Sequence, residues 1–167
     1  MTAICQDRCA STSAGTTLEA RVILRQFLHT DPVAISYLFG CGGKACGAVV
    51  DPVGDVVHYL DAARATGMNI LYVIDTHIHA DHVSAGRPLA EAAGAEYVLF
   101  SEAEVRYRFR AVRDGEVLPL GNVTVEVVHT PGHTPGHTPE RVCLLVADRP
   151  PPRARELRDS NAGWSVS

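Results

Sequence analysis

Four side chains of the types that bind metal ions fall within a short segment of this sequence. They are His77, His79, Asp81 and His82, and imidazole and carboxylate groups are common ligands of zinc and iron in proteins. In an extended segment, successive side chains point to opposite sides, so His77, His79 and Asp81 would project to one side. His82 departs from this alternation, as a residue at the turn into a helix would. The spacing therefore predicts a metal site in this segment.

The residues on either side indicate how the segment is positioned. Residues 69–74 contain an uninterrupted apolar run, which is typical of a buried strand. A helix is predicted over residues 84–93, and Gly94 ends it. A strand before the histidines and a helix after them place the metal site at the carboxyl end of a strand.

A second group of histidines lies in the stretch His129-Thr-Pro-Gly-His133-Thr-Pro-Gly-His137. Its prolines and glycines exclude a helical face, so the stretch is predicted to be an irregular loop. A strand is predicted before it, over residues 123–128, and another after it, over residues 142–147. This loop is the second candidate source of metal ligands.

The two histidine segments together resemble the signature of the metallo-β-lactamase fold superfamily. The resemblance rests on His-x-His-x-Asp-His after a strand and on the later Thr-Pro-Gly-His, and Asp75-Thr76 and Ser84-Ala85-Gly86 support it. Over residues 21–148 the chain is most similar to the persulfide dioxygenase and glyoxalase II-like branches. The resemblance implies an α/β (α+β) fold: a metallo-β-lactamase-like αββα sandwich, with its second half incomplete.

The resemblance also implies a set of ligands. The first segment contributes all four of its ionisable side chains: His77, His79, Asp81 and His82. Asp81 is given a catalytic role as well. One further histidine comes from the second loop, and it is His133 if counted from the preceding strand but His137 if counted back from the following one. His133 is favoured, and His137 stays open as the alternative.

A carboxylate of the family pattern has no counterpart in this sequence. In the family it comes from a Thr-Gly-Asp-like segment one strand beyond residues 142–147. Asp148 lies two residues before the proline run that begins at Pro150, and Asp159 lies in a predicted tail, so neither has the position of that ligand. We therefore expect the chain to be C-terminally truncated relative to the family.

The resemblance is compatible with two kinds of metal chemistry. One Fe(II) ion on His77, a histidine of the second loop and a carboxylate would leave positions for dioxygen and sulfur. This implies a persulfide dioxygenase that oxidises glutathione persulfide with O₂ to sulfite. One or two Zn²⁺ ions would instead activate water for a glyoxalase II type hydrolase of thioesters or lactams. A third expectation is an inactive, truncated protein that binds metal without turnover.

The rest of the chain is expected to form one domain with two extensions. Residues 1–20 are predicted to be a flexible leader, residues 21–148 the domain, and residues 149–167 a Pro/Arg-rich tail. The other predicted elements are strands 21–28, 34–39 and 48–50, a turn 51–54, a helix 55–66, a strand 96–100, a helix 101–109 and a strand 117–120. The first three strands form a meander.

Composition limits the classes of partner. The chain has 167 residues, of which 46% are apolar, and a formal net charge of −4, which gives no electrostatic reason to bind nucleic acid. It lacks the run of about 18 apolar residues that a membrane span needs, and it lacks a secretory signal. We expect a cytoplasmic protein acting on a small molecule, without nucleic-acid or membrane partners. An incomplete sandwich would expose an apolar sheet face, which a homo-oligomer could cover.

Overall fold

The computed structural model of the chain describes residues 22–130 and 142–147. The strands of the first sheet are β1 (Val22–Thr30), β2 (Val33–Cys41), β3 (Cys46–Val50), β4 (Asn69–Ile74), β5 (Glu96–Phe100) and β6 (Arg110–Val112). The strands of the second sheet are β7 (Val117–Leu120), β8 (Val123–His129) and β9 (Val142–Ala147). The helices are α1 (Val56–Thr66) and α2 (Gly86–Ala93).

The first sheet combines an antiparallel meander with a parallel half. Strands β1, β2 and β3 pair antiparallel, and β3, β4, β5 and β6 then pair parallel in chain order. Parallel neighbours need a crossover, which α1 supplies between β3 and β4 and α2 supplies between β4 and β5. The carboxyl ends of β3, β4 and β5 therefore meet along one edge of this sheet.

Side-chain alternation along the central strands divides the interior into two cores. One face of the first sheet packs against α1 and α2, and the other packs against the second sheet. The helix-side core includes Leu38, Val49, Tyr59, Val73, Leu89 and Leu99. The core between the sheets includes Phe39, Ile74, Phe100, Leu118, Leu120 and Val125. The described layers are helices, sheet and sheet, which confirms the mixed α/β class.

Local sequence explains where α1 begins and ends. The Asp55 carboxylate accepts a hydrogen bond from the backbone N–H of Val57 at 2.9 Å, which caps the first turn. Gly67 follows the last turn with a φ of 67°, and this left-handed conformation suits glycine. No described helix is long and apolar enough to cross a membrane.

The prediction of a helix over residues 101–109 is wrong. The backbone N–H of Ser101 donates to the carbonyl of Val112 at 2.8 Å, so this backbone extends the pairing of β5 with β6. Ala103 and Val105 still pack against the helix-side core, but as part of an irregular segment. Tertiary pairing has overridden a local pattern that resembled a helix cap.

An apolar patch lies at the outer edge of the first sheet, on β1 and β2. It consists of Leu24, Leu28, Val33 and Ile35, which are 62%, 73%, 87% and 44% exposed. In the register of this pair, Leu24 lies opposite Phe39 of the inter-sheet core, so the patch continues the face that the second sheet covers elsewhere. The patch is therefore an exposed apolar surface on one face of this sheet.

If copies of the chain associate through the apolar patch, replacing Leu28 with serine should reduce that association, because this side chain is 73% exposed within the patch. The free energy of unfolding should change by no more than about 0.5 kcal/mol, as is usual for surface positions. Sedimentation velocity over a range of protein concentrations measures the first effect. Val57→Ser, on the outer face of α1, is the control, and equal association of L28S and the unsubstituted chain would contradict the prediction.

Candidate metal centre

The predicted metal-binding segment follows β4 and leads towards α2. It lies at the edge where the carboxyl ends of the parallel strands meet, which is where α/β sheets commonly bind ligands. The backbone N–H of Val142, at the start of β9, donates to the carbonyl of Thr76 at 2.9 Å. The second sheet is thereby joined directly to the histidine segment.

Three imidazole rings lie close together, and two of them, those of His77 and His82, are next to the ring of His79. The ring centroid of His79 lies 4.2 Å from that of His77 and 4.3 Å from that of His82. Two groups of possible ligands share this residue: Asp51 with His77 and His79, and His79 with Asp81 and His82. Within each group, one ligand atom per residue lies within 4.8 Å of the others. The structure thus brings together all four residues predicted from the first segment, and adds Asp51.

Burial of these side chains supports a metal ion as their partner. The side chains of His79 and His82 are each only 8% exposed. His82 Nδ1 lies 3.0 Å from Asp81 Oδ1, whereas Nε2 is buried with no hydrogen-bond partner among the described residues. A buried polar atom without a partner is costly, and a bound cation would remove that cost. The donor set therefore fits a metal ion.

The charges around His79 favour a cation. Burial lowers the pKa of His79, but its hydrogen bond to Asp51 and the charges of Asp51, Asp75 and Asp81 outweigh this, so the pKa lies above its ordinary value. The pKa of Asp81 lies below its ordinary value, because its own backbone N–H donates to the carboxylate and the neighbouring His82 favours the anion. A metal would compete with a proton for His79, so its affinity should rise with pH.

Asp51 is the member of the site that sequence reasoning missed, because it was interpreted only as a turn residue. Its carboxylate accepts two hydrogen bonds from Thr76, from the backbone N–H to Oδ1 and from Oγ1 to Oδ2, each at 2.7 Å. His79 Nε2 lies 3.4 Å from Asp51 Oδ1. Its position could have indicated this role, because Asp51 directly follows β3 and the carboxyl ends of neighbouring parallel strands lie at the same edge of a sheet.

A second buried carboxylate lies beneath the segment, at Asp75. Asp75 is 3% exposed, and the hydroxyl of Tyr97 on β5 donates to its Oδ2 at 2.6 Å. Burial raises the pKa of Asp75 above its ordinary value, and burial together with the charge of Asp75 raises the pKa of Tyr97. The pair ties the end of β4 to β5.

Replacing Tyr97 with phenylalanine should lower the free energy of unfolding at neutral pH by about 1–3 kcal/mol. The ring would keep its packing, but the buried Asp75 carboxylate would lose the hydroxyl that donates to it. Urea denaturation of both proteins measures the difference. The same change on strand β2, Tyr37→Phe, is the control, and equal stability of the Tyr97 variant and the unsubstituted chain would contradict this role.

The two histidines predicted as ligands from the second loop, His133 and His137, lie outside the described residues. Their roles stay predictions. The described residues that flank the second loop are paired with each other, His129 of β8 with Val142 of β9, and Val142 bonds to Thr76 of the first segment.

Comparisons with known proteins agree with the layered fold and the histidine segment. The family model described as the metallo-beta-lactamase superfamily matches residues 33–141. Hydroxyacylglutathione hydrolase from Rhodospirillum rubrum is 34% identical over 99 residues, which cover 58% of this chain and 38% of that protein. Persulfide dioxygenase ETHE1 from Bos taurus is 28% identical over 117 residues, which cover 68% of this chain and 45% of that protein.

Solved structures of similar proteins also superimpose on this chain. ETHE1 from Myxococcus xanthus superimposes with a TM-score of 0.67 at 28% identity, over 74% of this chain and 53% of that one. A metallo-beta-lactamase from Staphylococcus aureus superimposes with a TM-score of 0.68 at 29% identity, over 76% of this chain and 37% of that one. The chain spans less than half the length of the two curated relatives named above. Because the family match extends over residues 33–141, well over half of the sequence, the chain belongs to the metallo-β-lactamase superfamily.

Proposed function

We propose that this chain is a metal-dependent protein of the persulfide dioxygenase type, which oxidises glutathione persulfide with O₂ to sulfite at one Fe(II) ion. The site supports metal-dependent chemistry because the imidazole rings of His77 and His82 both lie next to that of His79. In addition, Nε2 of His82 is buried without a hydrogen-bond partner among the described residues. The observation that favours the dioxygenase is the length of the alignment, 117 residues with bovine ETHE1 against 99 with the Rhodospirillum hydrolase.

The residues that would hold the ion are His77, a histidine of the second loop (His133, with His137 as the alternative) and a carboxylate. When bound by two imidazoles and one carboxylate, Fe(II) offers open positions for dioxygen and a sulfur ligand. Asp81 is the proposed catalytic residue. Its carboxylate is 68% exposed, so a substrate could reach it, and it would accept the S–H proton of the persulfide.

The alternative is a zinc hydrolase of glyoxalase II type acting on a thioester or lactam. The second ligand group, His79 with Asp81 and His82, favours it because it offers a place for a second ion. Zinc supplies a water of lowered pKa as nucleophile. The chain is also 39% identical over 75 residues to a hydroxyacylglutathione hydrolase from Rhizobium johnstonii. A third alternative is a catalytically inactive remnant that binds metal through the same residues.

Reconstitution of the purified chain separates these functions. The protein is loaded without oxygen with Fe(II) or with Zn²⁺, its metal content is measured, and each form is given glutathione persulfide or a hydroxyacylglutathione thioester. One iron per chain with oxygen uptake and sulfite release supports the dioxygenase. Two zinc ions with thioester hydrolysis would refute it in favour of the hydrolase. Metal binding without either reaction would support the inactive remnant. His77→Ala is the control for contaminating activity.

The proposal also covers the substrate class, the partners, the location and the assembly of the chain. A net charge of −4 supports a small-molecule substrate without a nucleic-acid partner. A cytoplasmic location without a membrane partner is part of the proposal. The apolar patch on β1 and β2 supports a homo-oligomer.

A further inference from the structure

A polar cluster of the half-buried His29 with Ser36 and Tyr59 contacts the turn that carries Asp51. Ser36 and Tyr59 are both fully buried. The hydroxyl of Ser36 donates to the carbonyl of Asp51 at 2.6 Å. The hydroxyl of Tyr59 donates to the carbonyl of Val53 at 2.9 Å and accepts from the backbone N–H of Val53 at 2.8 Å. Side chains of two elements, β2 and α1, therefore hold the main chain of one turn, and His29 of β1 contacts both of those side chains.

One assignment of protons satisfies every member of this cluster. The single hydroxyl proton of Ser36 is donated to the carbonyl of Asp51, and that of Tyr59 is shared between the carbonyl of Val53 at 2.9 Å and Ser36 Oγ at 3.0 Å. His29 Nε2 lies 3.0 Å from Ser36 Oγ and 3.2 Å from the Tyr59 hydroxyl, and both contacts are satisfied if Nε2 carries the imidazole proton and donates it. Buried polar networks in which every group is satisfied are rigid, so the cluster fixes the turn.

The turn needs such support because of the conformation of Asp51. Its φ is +46°, in the left-handed region that residues other than glycine rarely adopt. In this conformation the carboxylate accepts both hydrogen bonds from Thr76 and reaches His79 Nε2 at 3.4 Å. A continuous series of contacts thus runs from Ser36 through Asp51 to His79.

We propose that His29, Ser36 and Tyr59 are positioning residues for the metal centre, acting through Asp51 on His79. The cluster holds the Asp51 carboxylate against Nε2 of His79, and an imidazole bound to a carboxylate through one nitrogen presents its other nitrogen, here Nδ1, to a metal. The inference rests on the proposed metal centre and deepens it. None of the three residues belongs to either ligand group.

The first test measures Zn²⁺ affinity by competition with a chelating dye. Ser36→Ala should weaken binding by about 10–100-fold, as is typical when a partner of a metal ligand is lost. Asp55→Ala is the matched control, because it removes a hydrogen bond near the same turn, the α1 cap, without touching the cluster. Wild-type affinity in Ser36→Ala, or an equal loss in Asp55→Ala, would overturn the proposal.

A double-mutant cycle tests whether Ser36 acts through Asp51. Asp51→Asn alone should weaken Zn²⁺ binding. Adding Ser36→Ala to it should weaken binding by less than a further twofold, because Ser36 is proposed to act on the metal centre only through Asp51. Full additivity of the two effects would overturn the proposal. If Ser36→Ala does not fold, Tyr59→Phe takes its place, because it keeps the ring and removes only the hydroxyl.

A readout without metal separates this inference from the proposed function. Long-range ¹H–¹⁵N spectra of the metal-free chain, recorded at a pH high enough for the His79 imidazole to be neutral, report which of its nitrogens carries the proton. We expect Nε2–H in the unsubstituted chain and in Asp55→Ala, and a mixture of tautomers in Ser36→Ala. If the unsubstituted chain binds no metal, the proposed function fails while these spectra still decide the positioning role. An unchanged tautomer in Ser36→Ala would overturn it.

Discussion

Replacing His79 with alanine should abolish stoichiometric Zn²⁺ binding, with a loss of affinity of at least about 100-fold. His79 is shared by both groups of possible ligands, and its ring lies between those of His77 and His82. Its removal would therefore leave neither group with three ligands. Metal analysis after dialysis, and calorimetric titration with Zn²⁺, measure the loss.

The control for this prediction is His58→Ala. His58 is an exposed histidine of α1 and belongs to neither ligand group, so its removal should leave metal content unchanged. Retention of one tightly bound ion per chain in the His79 variant would show that the metal lies elsewhere. Loss of metal from both variants would point to nonspecific binding by histidines.

Replacing Gly40 with alanine should destabilise the fold by about 3 kcal/mol or more. A Cβ atom at this position would lie 2.1 Å from the backbone oxygen of Cys46 and 2.6 Å from Cα of Gly47. Gly40 and Gly47 face each other in the pairing of β2 with β3, so the clash is between two backbones and no side chain can move to relieve it. Urea denaturation followed by circular dichroism measures the change.

Gly43→Ala is the matched control, in the turn of the same hairpin. Nothing lies within 4 Å of a Cβ atom built there. The free energy of unfolding should therefore change by no more than about 0.5 kcal/mol. A Gly40 variant as stable as the Gly43 variant would mean that β2 and β3 are not paired in this register.

The elements with the strongest local signals were predicted accurately. The bounds of β4, β5 and β9 agree with the sequence predictions, because each is a compact apolar run between polar or glycine residues. The predicted helix over residues 101–109 failed because its apparent cap, at Ser101, is used instead to pair with Val112 of β6. That partner strand was not recognised, and local sequence carries no information about such pairing.

The site was predictable to the extent that it lies in one segment. The spacing of His77, His79, Asp81 and His82 predicted that they would be close together, and the structure places them so. Asp51 lies 25 residues before Thr76, the residue it binds. Only the parallel pairing of β3 with β4 brings the two together, and the sequence analysis did not establish that pairing. The superfamily predicted from the motifs is confirmed, whereas the ligand roles remain predictions.

Thr76 is a junction of the two sheets, and this has a dynamic consequence. Its N–H and hydroxyl bind Asp51 at the end of β3, and its carbonyl accepts from Val142 of β9. Fluctuations that separate the two sheets must therefore also loosen the histidine segment. An ion that binds only the closed form would suppress those openings. Amide protons of β8 and β9 should then exchange with solvent more slowly once the chain is loaded, although neither strand belongs to the histidine segment.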